Sequence, residues 1–514
     1  MNPLFLTDGY KTSHNKQYPE GTTLVYSNFT PRSNKYAPKG CNEVVVFGTQ
    51  MVMKQLHDAF DKEFFSKSKE SVCGEMKSEL SAYLGSDYDV SHFEALHDLG
   101  YLPIHVKSLP EGSLVPIKVP VLTIYNTHPD FFWVTNYLET ILSNLLWKPM
   151  TSATIAHQYR KVLTSWMEKT DKERAWFIDW QGHDFSMRGM DSIDAVVSSG
   201  LGHLTSFMGT DSLPTIYGAR KFYNEEGFVG GSVPATEHSV MCAGSKDDEI
   251  GTFRRLIETY PTGILSVVSD TWDLWKVCTE HVVTLKEEIL ARDGKLVIRP
   301  DSGNPVDILC GFPKNEEGLL YNSEENIKNG DSYYLEPKNT PEEKGVIELL
   351  WDVFGGTINE QGYKVLDSHI GAIYGDSITI DRANEICERL EAKGFASTNV
   401  VLGIGSFTYQ YNTRDTFGFA MKATYVEING EGREIFKDPI TDDGTKKSAT
   451  GLLCVEELPD GKIGLYDKVT WNTENTGLLR PIYEDGVFYN QTTLTEIRKK
   501  ISNLIQNKNE ESFA

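Results

Sequence analysis

The sequence predicts an α/β fold in which a β/α-barrel core is joined to a second, mixed α+β domain. Short apolar runs rich in β-branched residues alternate with helical periodicity between residues 263 and 402, which is typical of a parallel sheet covered by helices. Residues 1–150 and 423–514 instead mix short strands, turns and helices. We therefore place the barrel in residues 151–422. The second domain is expected to comprise residues 1–150 with part of 423–514, which ends in strands and a closing helix.

Strands that end in polar residues are the strongest sign of the barrel. The predicted strands are 263–269, 295–298, 370–374 and 399–402, with helices after the first and third at 271–291 and 379–393. Polar residues just past the strand C-termini build the active site in such folds. Here those positions carry Asp270, Arg299 with Asp301, Gly375 with Asp376, and Gly403 with Gly405. This regularity favours a barrel over an open sheet.

The second domain is predicted from short strands at both ends of the chain. They are 24–29, 43–47, 119–125, 423–428 and 464–466, and a short helix is expected over 495–506. The most apolar stretch, 131–147, contains Asn136, Glu139 and Asn144 and is too short to span a bilayer comfortably. We expect it to be a buried core helix.

Charge and cysteine content exclude several classes of protein. The 514 residues carry a formal net charge of −23, and this field repels both nucleic acid and anionic membrane. The seven cysteines are scattered without a CxxC pair, which is typical of reduced thiols and not of a disulfide frame or a zinc site. Residues 1–20 lack the apolar region of a secretory signal, so we expect a cytoplasmic protein.

The polar residues at the strand ends suit a phosphate-bearing ligand. Arg299 offers a guanidinium fork for phosphate, and Asp301 offers a carboxylate for ribose hydroxyls or for water on a phosphate-bound Mg²⁺. Gly403, Gly405 and Ser406 could form a nest of backbone N–H groups around a phosphate. The alternatives are a surface salt bridge beside a turn and ordinary glycine turn chemistry.

Further candidate groups precede the barrel strands named above. His238 lies in the segment 232–239, and residues 183–189 bring an aromatic ring, two acid–base groups and an arginine together. Residues 209–211 add the carboxylate of Asp211. A structural role in a loop remains the alternative for each. The sequence has no serine nucleophile elbow, zincin helix, P-loop or complete dinucleotide fingerprint.

Short segments along the whole chain carry a family resemblance. They are Thr7-Asp8-Gly9-Tyr10-Lys11, Lys16-Gln17-Tyr18-Pro19, Thr135-Asn136 with Glu139-Thr140-Ile141-Leu142, His183-Asp184-Phe185 with Arg188-Gly189, Gly209-Thr210-Asp211, Val233-Pro234-Ala235 with Glu237-His238-Ser239, Ser266-Val267-Val268-Ser269-Asp270, Ile298-Arg299-Pro300-Asp301-Ser302-Gly303-Asn304-Pro305, Gly375-Asp376, Thr413-Arg414-Asp415 and Phe436-Lys437-Asp438-Pro439. In order and spacing the chain resembles the nicotinamide phosphoribosyltransferase family, which belongs to the type II phosphoribosyltransferases. It departs from the animal members at 403–411, where side chains replace a longer glycine run.

The resemblance implies a barrel enzyme that transfers phosphoribosyl from phosphoribosyl pyrophosphate to nicotinamide. It also implies a head-to-tail homodimer with its sites at the subunit interface. Phe185 is expected to stack on one face of the pyridine ring, and Tyr10 of the partner subunit to cover the other. Asp211 is expected to accept a hydrogen bond from the carboxamide, which favours nicotinamide because nicotinate would bring a second carboxylate.

The remaining implied roles concern phosphate, magnesium and ATP. The phosphates would be neutralised by Arg188, Arg299 and Arg414. The ribose and its 5′-phosphate end would be held by Asp301, Gly375 and Asp376, together with Gly405 and Ser406. Asp270 would bind Mg²⁺-bound water, and no direct metal ligand is assigned. His238 corresponds to a phosphorylatable histidine through which ATP stimulates the reaction. The ATP phosphates would contact Arg32 and Lys422. Glu237 is a candidate to orient the imidazole.

Two alternative functions remain open. A nicotinate phosphoribosyltransferase would share the fold and the reaction type, but it would need a cation or a neutral donor where this chain has Asp211. A non-catalytic pyridine-nucleotide-binding protein would show losses in the Arg, Asp and His set, and that set is intact.

Overall fold

The protein is described by a computed structural model that covers residues 1–313, 320–321, 334–335, 338–375, 377–441, 448–459 and 461–513, without the side chains of 320–321, 334–335 and 506–513. Asp376, a predicted site residue, lies outside the described residues. None of the described helices combines the length and the apolar character that a membrane span requires.

The described elements are strands and helices that are distributed along the whole chain. The strands are β1 Thr22–Thr30, β2 Glu43–Val45, β3 Ile104–Ser108, β4 Leu114–Pro116, β5 Leu122–Asn126, β6 Gly182–Asp184, β7 Gly209–Thr210, β8 Thr262–Val268, β9 Asp293–Arg299, β10 Leu320–Tyr321, β11 Tyr334–Leu335, β12 Gly356–Ile358, β13 Lys364–Leu366, β14 Ile370–Tyr374, β15 Val400–Ile404, β16 Ala420–Ile428, β17 Glu431–Glu434, β18 Leu452–Glu457, β19 Ile463–Val469, β20 Arg480–Glu484 and β21 Val487–Phe488. The helices are α1 Thr49–Phe60, α2 Lys69–Leu84, α3 Ser91–Leu99, α4 Trp133–Tyr137, α5 Glu139–Thr170, α6 Ile178–Gln181, α7 Ile193–Leu204, α8 Leu213–Tyr223, α9 His238–Ala243, α10 Glu249–Thr259, α11 Leu274–Lys276, α12 Val282–Thr284, α13 Lys286–Leu290, α14 Pro305–Cys310, α15 Pro341–Phe354, α16 Ile380–Ala392, α17 Ser406–Gln410, α18 Trp471–Glu474 and α19 Leu494–Phe513.

A parallel sheet forms the barrel, in the order β7-β6-β15-β14-β9-β8. Its two edges are joined through the segment 231–236, which we call the closing segment. Gly231 makes a parallel bridge to Gly209 of β7, and Ala235 makes one to Ser266 of β8. The ring of strands is therefore closed, which confirms the predicted barrel.

The predicted barrel strands are all present, with small shifts at their ends. Three parts of the barrel wall were not predicted as strands: β6, β7 and the closing segment. Strand β6 has three residues and β7 has two, and the closing segment pairs with its neighbours only through isolated bridges. These segments were expected to be loops, because a strand this short shows no measurable periodicity.

An antiparallel sheet forms the second structural layer and joins the two ends of the chain. Its order among the described strands is β17-β16-β1-β5-β3-β20-β21. C-terminal β16 pairs with β1, and C-terminal β20 pairs with β3. The mixed α+β region therefore draws on the N-terminal segment and the C-terminal tail together, as predicted for the fold class.

Helix α5 connects the two hydrophobic cores. Its first half, with Leu142 and Leu146, is buried in the core beneath the antiparallel sheet, and its second half, with Tyr159 and Leu163, is buried in the barrel core. The predicted division at residues 150 and 151 falls inside this helix, and the division at 422 and 423 falls inside β16. The apolar stretch 131–147 is mostly buried or half-buried, although Asn144 is exposed. It is not the single core helix expected, because it is divided between the 3-10 turn Pro129–Phe131, α4 and the start of α5.

The helix predicted over 271–291 is interrupted. It consists of α11, a π-helical turn over Val277–His281, α12 and α13. This stretch is rich in valine and threonine, whose branched side chains lose χ1 freedom in a helix. The second predicted helix is continuous as α16, and the Thr379 hydroxyl accepts from the backbone N–H of Arg382 as its N-cap.

A buried ion pair ties the C-terminal tail to the antiparallel sheet. Lys107 of β3 donates to Glu474 of α18 over 2.6 Å, and both side chains are almost wholly buried. We expect Glu474→Gln to lower the free energy of unfolding by about 3–5 kcal/mol, because it leaves the Lys107 ammonium buried without a countercharge.

Urea unfolding followed by fluorescence would measure this loss, with Lys16→Ala as the control. Lys16 contacts Asp89 over 3.0 Å, but both side chains are exposed, so its loss should cost below about 1 kcal/mol. Equal losses for the two variants would contradict the assigned importance of the buried pair.

Candidate active site

A cavity of about 1090 Å³ runs into the barrel from the C-terminal ends of its strands. Its volume exceeds what a single small ring needs and suits a ring joined to a phosphorylated sugar. Predicted site residues that line it are Phe185, Arg188, Asp211, Arg299, Asp301, Gly375, Gly405 and Ser406. The barrel therefore brings these eight residues, which come from five separate segments of the chain, to one place.

Arg299 lies at the end of β9 and is held from several sides. Its Nη1 donates to the backbone oxygen of Thr236 over 3.2 Å, and its Nη2 lies 3.5 Å from a carboxylate oxygen of Asp301. Its Nε is buried and donates to no described residue. Gly375 permits this placement, because a Cβ there would lie 2.9 Å from Nε. Arg299 lines the cavity, and its Nη1 and Nη2 each carry a second hydrogen that these contacts do not use.

Phe185 follows β6 and presents a ring to the cavity. The guanidinium carbon of Arg299 lies 5.4 Å from the ring centroid, and the His183 ring lies 4.6 Å from it, centroid to centroid. Gly403 of β15 allows the ring to approach, because a Cβ there would lie 2.7 Å from Phe185 Cδ2. An aromatic face beside a guanidinium suits a planar ring joined to a phosphate.

Asp211 follows β7 and is kept ionised. Burial by itself would raise the pKa of Asp211, but hydrogen bonds from His183 and Ser232 and the charge of Arg299 outweigh burial and hold the pKa below its usual value. His183 Nε2 lies 2.8 Å from Asp211 Oδ1, and the Ser232 hydroxyl donates to the same oxygen. The cavity therefore presents a carboxylate acceptor.

His238 is the first residue of α9, and both ring nitrogens have partners. Nδ1 lies 3.1 Å from the Thr271 hydroxyl, and Nε2 lies 3.2 Å from Asp301 Oδ1. Glu237, one candidate to orient the imidazole, instead accepts a hydrogen bond from Ser239. In this structure the imidazole contacts Thr271 and Asp301, because the Glu237 and His238 side chains point to different neighbours at the start of the helix.

Asp270 joins the turn after β9 to the end of β8. Its Oδ2 accepts from the backbone N–H of Asp301 and from the N–H and hydroxyl of Ser302, whereas its Oδ1 is buried without a hydrogen-bond partner among the described residues. Ligand atoms of Asp270, Asp301 and His238 lie within 4.8 Å of one another. An unpaired buried carboxylate oxygen beside a second carboxylate fits a Mg²⁺ ion or its bound water.

The loop after β15 lies against the loop that carries Arg188. Ser406 begins α17, and a Cβ on Gly189 would lie 2.5 Å from the Ser406 Cβ. The segment that lacks the glycine run thus forms a short helix, and Gly405 and Ser406 still line the cavity.

Four predicted residues form a second group that does not line this cavity. They are Tyr10, Arg32, Arg414 and Lys422. Burial lowers the pKa of Lys422; Glu139 opposes this effect, and the charges of Arg32 and Arg414 add to it. Lys422 lies 3.5 Å from Glu139, which also pairs with Lys11 over 2.9 Å. We call the cavity opening at the C-terminal ends of the barrel strands the barrel mouth, and Arg32, Arg414 and Lys422 the cationic group. The barrel mouth and the cationic group are two separate parts of the predicted site.

Two partners of the site residues were missed in the sequence. Thr271 contacts His238, and Ser232 contacts Asp211. Each adjoins a segment already singled out, because Thr271 follows Asp270 and Ser232 opens the segment 232–239. The available signal was a position next to a predicted strand end for Thr271 and membership of a segment already singled out for Ser232, but the contacts themselves depend on neighbours distant in sequence.

Family models match both parts of the chain. Residues 180–491 match the nicotinate phosphoribosyltransferase (NAPRTase) family, and residues 2–105 match the nicotinamide phosphoribosyltransferase N-terminal domain. The first match includes all strands of the barrel and the closing segment, and the second includes β1 and the segment that carries Tyr10.

Curated relatives match over nearly the whole chain. The nicotinamide phosphoribosyltransferase of Acinetobacter baylyi is 50% identical over 98% of this chain and 98% of its own length. The nicotinamide phosphoribosyltransferase of Xanthomonas campestris is 31% identical over 97% of this chain and 97% of its own length. That of Mycoplasma pneumoniae is 34% identical over 88% of this chain and 95% of its own length.

Solved structures share the fold at low sequence identity. The human nicotinic acid phosphoribosyltransferase matches with a TM-score of 0.54 and 15% identity over 97% of this chain and 93% of that one. The Pyrococcus furiosus nicotinate-nucleotide pyrophosphorylase matches with a TM-score of 0.53 and 15% identity over 99% of this chain and 96% of that one. With the relatives' identity over almost the full length, these matches mean that the chain belongs to the nicotinamide phosphoribosyltransferase family of pentosyltransferases.

Proposed function

We propose that the protein transfers the phosphoribosyl group of phosphoribosyl pyrophosphate to nicotinamide, giving nicotinamide mononucleotide and pyrophosphate in NAD salvage. One observation carries the choice of base: the cavity presents the ionised Asp211 beside the Phe185 ring. A carboxylate accepts from the carboxamide NH₂ of nicotinamide and repels the carboxylate of nicotinate. The names of the relatives support the same assignment.

The chain's own residues bind and orient the reactants. The pyridine nitrogen attacks C1 of the ribose, the bond between C1 and the pyrophosphate oxygen breaks, and pyrophosphate leaves with the electron pair. Because the substrate supplies the nucleophile, no serine or cysteine is needed. Phe185 holds the ring plane, and Arg188 and Arg299 stabilise the negative charge on the phosphates.

Magnesium is proposed to accompany the pyrophosphate. Asp270 and Asp301 would hold the ion or its water, because Asp270 Oδ1 is buried and unpaired beside the second carboxylate. The bound ion would supply a Lewis acid for the leaving charge. Asp301 and Gly375 would remain next to the ribose and its 5′-phosphate end.

ATP is proposed as a stimulating co-substrate through His238. A ring nitrogen would attack the γ-phosphorus of ATP, the bond to the β,γ-bridging oxygen would break, and ADP would leave. Arg32 and Lys422 would bind the ATP phosphates, with Arg414 in the same cationic group. Hydrolysis of the phosphohistidine would return the histidine and inorganic phosphate.

A homodimer would unite the two parts of the site. Tyr10 is 63% exposed and does not line the barrel cavity of its own chain, although the proposed ring site needs a second aromatic face. Exposed apolar side chains lie around the barrel mouth, at Met187 and Phe228. A head-to-tail partner would bring its Tyr10 and cationic group to this mouth and cover that apolar surface.

Mixed dimers would test this arrangement. We expect Tyr10→Ala and Arg299→Ala homodimers to be nearly inactive and a co-expressed mixture to regain activity, because one of the two interfacial sites then has both wild-type residues. Statistical mixing should restore about one quarter of the wild-type sites, as in other shared-site dimers. A mixture no more active than its parents would contradict a site shared between subunits.

Base selectivity tests the proposed reaction itself. With Mg²⁺ and phosphoribosyl pyrophosphate, the wild-type protein should form mononucleotide from nicotinamide and not from nicotinic acid. Asp211→Asn should lower kcat/KM for nicotinamide by about tenfold to a hundredfold, because a hydrogen bond to a charged group is lost, and should raise turnover of nicotinic acid.

Asp87→Asn is the matched control, because Asp87 is 82% exposed, contacts Lys77 and does not line the cavity. Turnover of nicotinic acid alone would instead support a nicotinate phosphoribosyltransferase. Binding of both bases without turnover would support a non-catalytic pyridine-nucleotide-binding protein.

We also propose that the enzyme is cytoplasmic, which its cysteines support. All seven cysteines are free, and six of them are buried. Burial raises the pKa of the Cys278 and Cys310 thiols to about 12, which keeps them protonated and unreactive. Free thiols in this number are typical of proteins from reducing compartments.

A further inference from the structure

The Asp211 carboxylate is fixed unequally at its two oxygens. Both neighbouring donors, His183 Nε2 and the Ser232 hydroxyl, contact Oδ1. No described residue donates to Oδ2. The backbone is fixed too, because the Asp211 N–H donates to the Asp184 carbonyl over 3.1 Å. One carboxylate oxygen is therefore used by the protein, and the other is left to face a ligand.

We infer that His183 and Ser232 are positioning residues that set the choice between nicotinamide and nicotinate by orienting Asp211. This inference deepens the proposed function and rests on it. The two donors come from opposite sides of Asp211, one from β6 and one from the closing segment. Asp211, the group proposed to recognise the base, therefore lies where the closing segment pairs with β7 to complete the barrel.

His183 has little freedom to leave this position. It is buried, and its ring packs against Phe185 at a centroid distance of 4.6 Å. On its other side, Gly209 pairs with His183 in the parallel register of β6 and β7. A Cβ on Gly209 would lie 2.7 Å from His183 Nδ1. The imidazole is therefore held between a ring and a glycine backbone, with Nε2 aimed at Asp211.

The placement of the donors explains discrimination and not merely binding. Because His183 Nε2–H and the Ser232 hydroxyl are engaged by Oδ1, neither is free to donate to the carboxylate of nicotinate. That ligand would meet only the negative Oδ2, whereas the carboxamide of nicotinamide can donate to it. Loss of a donor would free Asp211 to rotate and would weaken both effects.

The pair His183→Leu and His183→Gln tests the inference. Leucine removes the donor, whereas the glutamine amide nitrogen can reach the position of Nε2. We expect His183→Leu to raise KM for nicotinamide by about tenfold or more, the cost of a hydrogen bond to a charged group, and to lower the nicotinamide-to-nicotinate ratio of kcat/KM similarly. His183→Gln should recover most of this ratio, and KM for phosphoribosyl pyrophosphate should stay constant.

Gly209→Ala and Ser232→Ala provide a second route that does not remove His183. The added Cβ of Gly209→Ala should displace the imidazole and shift selectivity in the same direction as His183→Leu. Ser232→Ala removes the second donor and should give a smaller shift. Thermal unfolding of each variant shows whether the fold is retained, and if His183→Leu does not fold, this pair decides the matter.

The outcomes separate this inference from the proposed function. Wild-type protein that prefers nicotinic acid would overturn the proposed function. Wild-type protein that prefers nicotinamide, with an unchanged base ratio in folded His183→Leu, Gly209→Ala and Ser232→Ala, would overturn the positioning role alone. Failure of His183→Gln to recover any selectivity in a folded protein would also overturn it, because the donor would then not be what matters.

Discussion

Arg299→Ala should lower kcat/KM for phosphoribosyl transfer about thousandfold, as expected when a preorganised charged donor to the leaving group is lost. The guanidinium lies at the end of β9, next to both the Phe185 ring and Asp301, so its removal affects the ring site and the phosphate site together. Each of its Nη atoms carries a second hydrogen that the contacts to Thr236 and Asp301 do not use, and we expect these hydrogens to be donated to the phosphates. Steady-state rates with nicotinamide and phosphoribosyl pyrophosphate would measure the loss.

Arg299→Lys is the informative control. It keeps the positive charge but loses the planar fork, so we expect a loss of about tenfold to a hundredfold, smaller than that of alanine. Thermal unfolding of both variants would separate a loss of catalysis from a loss of fold, because Arg299 also contacts Thr236 and Asp301. An Arg299→Ala enzyme within about tenfold of wild type would show that other groups carry the phosphate charge.

The barrel strands could be predicted because they are apolar and end in polar residues. The strands that lead to Asp270, Arg299 and Gly375 are long enough to show their pattern, and the structure places them as expected. In contrast, β6 and β7 are held by their neighbours in the sheet and have no pattern of their own. Their segments were recognised through their chemistry, in Phe185 and Asp211, and not through their secondary structure.

The contacts that tune the site could not be predicted. Thr271 and Asp301 orient His238 from positions 33 and 63 residues away, and His183 reaches Asp211 across 28 residues. Such contacts depend on the register of parallel strands, which a single sequence does not specify. The separation of the cationic group at Lys422 from the barrel cavity likewise depends on how the antiparallel sheet joins the barrel.

His238→Ala should abolish stimulation by ATP while leaving a basal rate of transfer. Asp301 is a carboxylate acceptor, so we assign the ring proton to Nε2, and Nδ1 then holds the lone pair that accepts from the Thr271 hydroxyl. That lone pair is the group that would attack the γ-phosphorus of ATP. Rates with and without ATP, together with transfer of labelled phosphate from ATP to the protein, would measure the effect.

Cys242→Ser tests whether the loss is specific to the imidazole. Cys242 is exposed and lies four residues after His238 on α9, so its substitution changes the same helix without touching Asp270, Asp301 or Thr271. We expect this variant to keep both ATP stimulation and protein labelling. Stimulation that persists in His238→Ala would instead mean that ATP acts by binding alone, through the cationic group at Arg32 and Lys422, and that phosphorylation of this histidine is not part of the reaction.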